Sequence, residues 1–473
     1  MSEASHPLEF SKELKKNETS IPGLIIFDLT IFGDNRGWFK ENWQREKLVK
    51  LGLPDFGPVQ NNFSFNGKRG TMRGIHAEPW DKFISVGSGS FFGAWVDIRE
   101  GSPTYGTVFT TEIDASKAIF VPAGVANSYL TLEDNTVYSY LVNDHWYPDV
   151  SYSFVNAMDE SLGIDWPIPP AEWEISEKDK SHPMLEGTAP VPAKKVLITG
   201  ANGQLGLALR EEFPNAEFTD RNELDITSPE LGQARQWRQY DLIINAAGYT
   251  AVDMAETPEG RRMAWKINAE ATANLTRVAN EYNIVLVHVS SDYVFDGTKE
   301  SYTEEDGLCP LGVYAQTKAA GDIAISAARK HYLIRTSWVI GEGNNFVRTM
   351  KSLADRGIKP SVVDDQVGRL TFTGDLVKGI KHLLDTDAPY GTYNLSNEGN
   401  PASWADIAKK VYELAGKSAD DVAPTSTAKY YEGKENISPR PANSVLKLDK
   451  IKATGFTPTA WEEALVNYIQ KEK

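Results

Sequence analysis

Cysteine is nearly absent: the 473 residues contain one, Cys309. A lone thiol excludes an intramolecular disulfide framework and a thiolate metal cluster, and it suits a reducing compartment. Between Gly307 and Pro310 it reads as an incidental loop residue rather than a nucleophile. Basic excess is missing too, with 49 Lys and Arg against 65 Asp and Glu and a formal charge of -16. Wrapping nucleic acid or coating an anionic membrane requires a basic face, so neither partner is expected, although a local phosphate pocket remains compatible with the total. No apolar run is long enough to span a bilayer, and the first twenty residues hold no apolar core of signal-peptide length, so a cytoplasmic location is expected. Internal repeats and low-complexity tracts are lacking as well.

What the chain does have is length, more than one core of ordinary size requires, so two or more domains are expected. From Gly23 to Asp144, short β-branched and aromatic runs (24–32, 83–98, 108–113, 136–142) alternate with Gly, Asn, Asp and Pro, the pattern of an all-β sandwich or barrel. A Pro-rich stretch at 166–173 is followed by Gly187-Thr-Ala-Pro-Val-Pro-Ala193, read as an extended linker because Pro fixes φ and withholds a donor. Beyond it, apolar runs at 196–199, 242–246, 285–289 and 332–335 alternate with helix-length segments at 262–281 and 315–330. They read as buried parallel strands in a doubly wound α/β sheet, with a smaller mixed tail from about Asn345. The expected division is 1–186, a linker at 187–193, and 194–473.

Directly after the first strand of the second part stands Gly200-Ala-Asn202-Gly203-Gln204-Leu205-Gly206, leading into a helix-forming run at 207–213. Glycine permits the tight turn and lets backbone N–H groups approach a pyrophosphate at the positive end of that helix. A chance Gly-rich loop is the competing reading, weakened by the strand before and the helix after. Asp220 and Arg221 follow the next strand, where a carboxylate bonds a ribose hydroxyl and a guanidinium holds a 2′-phosphate; with both present, NADH and NADPH stay open. Asp225 is placed either near the adenine or as a helix N-cap before Ile226. Ala246 and Ala247, after another strand, complete the expected cofactor cleft.

Tyr314 and Lys318 stand one helical turn apart and share a face. A phenol of ordinary pKa, about 10, is a poor proton partner at neutral pH, and an adjacent ammonium is expected to stabilise the phenolate and lower that value. Ser291, at a strand end, is placed to hydrogen-bond the same carbonyl oxygen. Tyr-x-x-x-Lys alone is equally a surface pair; the glycine loop and the strand-end serine give it weight. In the first half, His76, Lys82, Tyr140 and Asp179 form a set suited to inverting a carbon beside a ketone. His76 is the base, Asp179 orients its ring, Tyr140 reprotonates from the opposite face, and Lys82 stabilises the enolate oxygen. Standing alone, His76 would more often be structural and Tyr140 a core aromatic.

Residues 194–473 resemble the dTDP-4-dehydrorhamnose reductases of the extended short-chain dehydrogenase group. The resemblance runs through Asn245-Ala-Ala-Gly-Tyr-Thr-Ala-Val-Asp253, Ser291-Asp-Tyr-Val-Phe-Asp-Gly297, Tyr314 to Lys318, Arg335-Thr-Ser-Trp-Val339, Asn345-Phe-Val347, Asp365-Gln-Val-Gly368 and Arg440-Pro-Ala-Asn-Ser444. It implies hydride transfer from NADPH or NADH to C4 of a 4-keto sugar, with Tyr314 delivering the proton. Ser291 replaces the usual Thr, and Arg369-Leu370 stands before Thr371 where Ser-Pro or Arg-Pro is common. Val252 and Trp338 match sugar-contacting positions, or are core.

Residues 23–185 resemble the dTDP-4-dehydrorhamnose 3,5-epimerases, jelly-roll cupins without a metal. The match rests on Phe32-Gly-Asp-Asn-Arg-Gly37, Gln60-Asn-Asn-Phe-Ser64, Arg73-Gly-Ile-His76, Val96-Asp-Ile-Arg99, Ser102-Pro-Thr-Tyr-Gly106, Pro122-Ala-Gly124, Gly163-Ile-Asp-Trp-Pro167 and Ser176-Glu-Lys-Asp179. By that resemblance Arg36, Glu41, Gln60, Asn62 and Arg73 contact the nucleotide or sugar, and the domain forms a homodimer. No His-x-His pair follows Gly74, so no metal is expected. Two departures stand out: Ala126-Asn127-Ser128 for the usual Ala-His-Gly, and Ala77-Glu78 for aromatic-Gln. Together the resemblances imply a fused protein converting dTDP-4-dehydro-6-deoxy-D-glucose to dTDP-L-rhamnose. The alternatives are an active reductase with a β domain that only binds or dimerises, and a non-catalytic regulatory subunit; the set Ser291, Tyr314 and Lys318 speaks against the latter.

Overall fold

Side chains that alternate along short strands build the first half of the protein. A computed structural model of the chain describes residues 10–148, 150 and 152–471, and these divide into two units, Met1–Ala193 and Lys194–Lys473. In the first, one antiparallel sheet runs in the order β1 (Lys15–Glu18), β2 (Ile25–Asp28), β10 (Lys117–Val121), β7 (Lys82–Ser88), β12 (Thr136–Val142), β5 (Gln60–Asn66). A second runs β13 (Ser153–Val155), β6 (Met72–Ala77), β11 (Val125–Thr131), β8 (Phe91–Asp97), β9 (Val108–Ile113). A short hairpin, β3 (Ile31–Asp34) with β4 (Gly37–Lys40), stands apart from both sheets. Ile119 and Val121 of β10 meet Trp95 and Tyr129 of the second sheet in a shared core. Their neighbours Ala118 and Phe120 face the other way, onto Leu48 of helix α1 (Arg45–Lys50) and Phe56. Strand period 2 thus produces two apolar faces, each covered.

Residues 187–193, expected as an extended linker, are tied to the first unit: Gly187 ends a helical turn, Leu185–Gly187, and Val191 forms a bridge with Arg99. The Val191 N–H donates to Ile98 O at 2.8 Å, Glu100 N–H donates to Val191 O at 2.8 Å, and Ser153 Oγ donates to Ala189 O at 2.9 Å.

The second unit is built on a six-stranded, all-parallel sheet in the order β15 (Glu217–Thr219), β14 (Lys195–Thr199), β16 (Tyr240–Asn245), β17 (Val285–Ser291), β18 (His331–Thr336) and the strand Gly391–Asn394. Alternate strand residues pack on two helical layers. Ile198, Ile244 and Ile334 meet α3 (Gln204–Glu212) and α8 (Thr373–Asp385). Leu197, Ile243 and Leu333 meet α5 (Ala271–Tyr282) and α6 (Val313–Ile325). The chain leaves β14 for β15 on one side and continues through β16 on the other, so a crevice opens at the carboxyl ends of β14 and β16.

The helix-length segment expected at 262–281 is helical throughout, as α4 (Pro258–Ala264), a π-helical stretch Trp265–Glu270 and then α5. The Asn268 amide in that wider turn accepts from Tyr249 N–H at 2.8 Å and donates to Tyr249 O at 3.1 Å, a tertiary bond that periodicity does not register. The smaller mixed tail expected from about Asn345 is present as helices with short two-stranded pairings. Helices α7 (Phe346–Asp355), α9 (Trp404–Leu414) and Trp461–Lys471 do share a core of their own, but the apolar stripe Leu376, Val377, Ile380 and Leu383 draws α8 back onto the main sheet. Among the described residues no helix is long and apolar enough to cross a membrane.

Candidate active sites

In the first unit the site is assembled from strands of both sheets and one short helix. Ser176 caps α2 (Glu177–Lys180) by accepting from Asp179 N–H, and Asp179 faces β6, where Gly74 leaves room: a Cβ there would lie 3.0 Å from Asp179 Cβ. Asp179 Oδ1 lies 2.9 Å from His76 Nε2, and its Oδ2 accepts from Gly74 N–H at 3.4 Å. Burial would raise the Asp179 carboxyl, but the His76 bond, the His76 charge and the Gly74 amide hold it down at about 2, so it is a carboxylate at neutral pH. Asn127 of β11 is the cross-strand partner of His76.

The two departures from the family pattern converge on one side chain. Lys82 Nζ is 2.5 Å from Glu78 Oε2 and donates to Asn127 Oδ1 at 2.8 Å, while Lys82 is 5 % exposed. It also sits 5.6 Å from the Tyr140 ring. Burial, then the Glu78 charge, raises the Tyr140 phenol and keeps it protonated. Arg73 lies on β6, where Nε donates to Asn66 Oδ1 at 3.3 Å; Gln60 and Asn62 lie on β5, bonded to each other at 2.7 Å, with Asn62 paired to Tyr140. Arg36 and Glu41 are not brought to this cluster: Arg36 is paired with Asp34 beside the exposed β3–β4 turn, and Glu41 with Lys47. Glu78 was not named from sequence as a working residue; His182 is packed beside His76 with ring centroids 5.3 Å apart.

In the second unit a cleft of about 570 Å³ opens at the β14–β16 crevice, lined by Gly200, Asn202, Gly203, Asp220, Arg221, Asp225, Ala246 and Ala247 among others. The backbone is shaped for close approach. Gly200 has φ +73°, and a Cβ there would lie 2.6 Å from Ala247 N. The N-terminus of α3 has no side-chain cap, leaving its N–H groups free for an anion such as a pyrophosphate. Gln204, Leu205 and Gly206 stand behind this wall. Gln204 Oε1 accepts from Gly341 N–H at 2.7 Å, Leu205 is buried in the core, and Gly206 lets the helix press on Gly200 O. Asp220 is engaged by Asn202 Nδ2 at 3.2 Å and Asn222 N–H at 2.8 Å, whereas Arg221 is exposed. Asp225 caps no helix; it accepts from Thr227 N–H and Oγ1 in a local turn.

Ser291 ends β17, and Tyr314 and Lys318 share the first turns of α6. The expectation that Lys318 lowers the Tyr314 phenol is reversed in this structure. Burial pushes Tyr314 up to about 12, with the carboxylates of Asp292 and Asp322 adding to it and only Ser291 opposing. Lys318 instead donates to Val289 O at 2.7 Å, and burial lowers its own ammonium to about 8. Desolvation wins because Lys318 is buried and Tyr314 is half-buried among strand ends. Asp292, unremarked in the sequence, accepts from Ser291 Oγ at 3.0 Å, and burial pushes its carboxyl up to about 6. Trp338 stacks on Trp404 at 3.8 Å, and Val252 is half-buried.

Comparison with known proteins divides at the same place. Residues 18–187 match the family described as dTDP-4-dehydrorhamnose 3,5-epimerase, and residues 194–473 the RmlD substrate binding domain. The RmlC homolog of Streptococcus pyogenes is 51% identical over 193 residues, 39% of this chain and 96% of the relative. The dTDP-4-dehydrorhamnose reductase of Aggregatibacter actinomycetemcomitans is 37% identical over 294 residues, 58% of this chain and 97% of the relative. The solved dTDP-4-dehydrorhamnose reductase of Bacillus anthracis in complex with NADP is 35% identical, covers 59% of this chain and 99% of its own, and superposes with a TM-score of 0.54.

Proposed function

Because the chain belongs to the dTDP-4-dehydrorhamnose 3,5-epimerase family over residues 18–187 and to the RmlD family over residues 194–473, we propose that it is a bifunctional enzyme. It converts dTDP-4-dehydro-6-deoxy-D-glucose to dTDP-L-rhamnose by 3,5-epimerisation and then reduction at C4. The carrying observation is that each unit holds its own proton-transfer set, His76–Asp179 in one and Tyr314 with Ser291 in the other.

In the first step His76 takes the proton from C5 or C3, and Asp179 steadies the imidazolium that forms. Lys82 neutralises the enolate oxygen. An ammonium has three donors, and Glu78 and Asn127 engage two, which leaves one for the substrate. Tyr140, kept protonated, returns a proton to the other face. In the second step a dinucleotide, when bound, would supply hydride to C4; Ser291 would hold the ketone oxygen, and Tyr314, kept protonated by its raised pKa, would deliver the proton with the Lys318 ammonium one helical turn along.

The strand orders support a cupin-like jelly roll for the first unit and a Rossmann fold of the extended short-chain dehydrogenase type for the second. Arg221 and Lys266 in the cleft, with Asp220 engaged by two asparagines, favour NADPH. Exposed Phe63 and Phe65 on the edge strand β5 favour a homodimer through the first unit. A free thiol and a reduced dinucleotide suit the cytoplasm. The test follows the sugar ring by NMR in D₂O, first without and then with NADPH. Deuterium entering C3 and C5 without cofactor is expected, and its absence at both carbons overturns the epimerase; cofactor oxidation on pre-epimerised substrate tests the reductase by itself.

A further inference from the structure

Beside the His76 ring lies a second imidazole that no step above uses. His182 is 8 % exposed, and neither ring nitrogen has a hydrogen-bond partner among the described residues. A buried imidazole without partners is costly, because one nitrogen of the neutral ring always carries a proton in need of an acceptor. Its Nε2 stands 3.6 Å from Asp179 Oδ1, and that same oxygen is 2.9 Å from His76 Nε2. The three donor atoms all fall within 4.8 Å of one another. Phe154 braces both rings, stacked on His182 at 4.6 Å and edge-on to His76 at 5.4 Å.

We propose that His76, Asp179 and His182 bind a first-row transition metal ion such as Zn²⁺, and that occupancy switches off the epimerase. The inference rests on the reading of His76 as the base. Two imidazoles and a carboxylate are a donor set that such ions take while keeping further positions open to water. Metal–ligand bonds of about 2.0–2.1 Å place neighbouring donors roughly 3.0–3.4 Å apart. The two gaps to Asp179, 2.9 and 3.6 Å, lie on either side of that range, and the third, between the two rings and within 4.8 Å, closes as the ion draws them together. The His76 side chain is 31 % exposed, which gives the ion a route from solvent. Coordination at His76 Nε2 holds the ring proton on Nδ1, the nitrogen that would otherwise accept the substrate proton, and it takes the Asp179 oxygen that orients the ring. The opposing charge is Lys178, whose Nζ lies 5.2 Å from the Phe154 ring; it weakens the site without occupying it. The ion is an inhibitor here, since no reaction step calls for it.

The test uses the full chain without an affinity tag, stripped by chelator, with Co²⁺ as the probe. One cobalt per chain should bring visible ligand-field absorption, displaced by Zn²⁺. Zn²⁺ should stop deuterium exchange at C3 and C5 while hydride transfer to pre-epimerised substrate continues. His182→Gln should keep metal-free exchange and lose both the absorption and the zinc block. With ¹⁵N-histidine-labelled wild-type protein, a readout that needs no variant, Zn²⁺ should shift the ring signals of His76 and His182 and leave the other histidines in place. Absorption that survives His182→Gln, shifts confined to other histidines, or exchange that proceeds unchanged in zinc overturns the site. Failure of the metal-free wild-type protein to exchange at all overturns the role of His76 instead, while the cobalt result stands by itself.

Discussion

His76 and Tyr314 each draw on partners from their own unit, so substitution at one should leave the other half-reaction running. His76→Ala is expected to abolish deuterium entry and spare NADPH oxidation on pre-epimerised substrate, and Tyr314→Phe to do the reverse, each by roughly 10²–10⁴-fold. One substitution that removes both activities from a folded protein contradicts this division. Glu78 belongs with them, because a misplaced ammonium no longer meets the enolate oxygen. Glu78→Gln should lower the exchange rate roughly 10–100-fold with little change in KM, and an unchanged rate would show that Asn127 alone holds Lys82. Asp292 carries a pH signature. Its carboxyl ionises near 3.8 when unfolded and about 6 in the fold, so the native form holds the extra proton between those values. Stability therefore falls as pH rises through that window, and the full loss is present above about 6. Asp292→Asn, neutral throughout, should stabilise the second unit by roughly 2–3 kcal/mol at pH 7 and by little below pH 4; thermal unfolding at the two pH values checks it, and an equal gain at both contradicts it.

Elements deliver these residues by close backbone approach, where glycine leaves a readable mark. The C-terminal end of β14, the Gly200 turn and the N-terminus of α3 are held so tightly that a Cβ on Gly206 would lie 2.2 Å from Gly200 O. Gly206→Ala should cost about 1–3 kcal/mol and weaken NADPH binding at least tenfold, leaving deuterium exchange untouched; calorimetric titration with NADPH decides, and wild-type affinity rules out the packing argument. At this scale the sequence was informative wherever one strand or helix acts alone. The glycine loop, the strand ends at Asn245 and Ser291, and the Tyr314–Lys318 turn were legible because each depends on local spacing. The π-helical turn at Trp265–Glu270 and the return of α8 were not, since each answers to a partner distant in the chain.

Across the whole molecule, the apolar clusters of 21–191 and those of 196 onward share no residue, so each unit has its own core. A chain cut between Ala193 and Lys194 should therefore give two halves that each fold and keep their half-reaction. The coupled rate of the mixed halves should fall on dilution, whereas that of the intact chain, with its tethered concentration, should not; loss of either half-reaction on cutting argues against independent cores. The sequence by itself determined the two-part organisation and the chemistry of each part, and it supplied most of the side chains proposed for that chemistry, because residue type and short-range spacing are written in order along the chain. Only the tertiary structure decided which groups govern one another's charge. It placed Glu78 and Asn127 on Lys82, set His182 beside Asp179, and turned Lys318 toward Val289 while burial raised the Tyr314 phenol. Desolvation and Coulomb interaction depend on distance through space, and no linear pattern carries that distance.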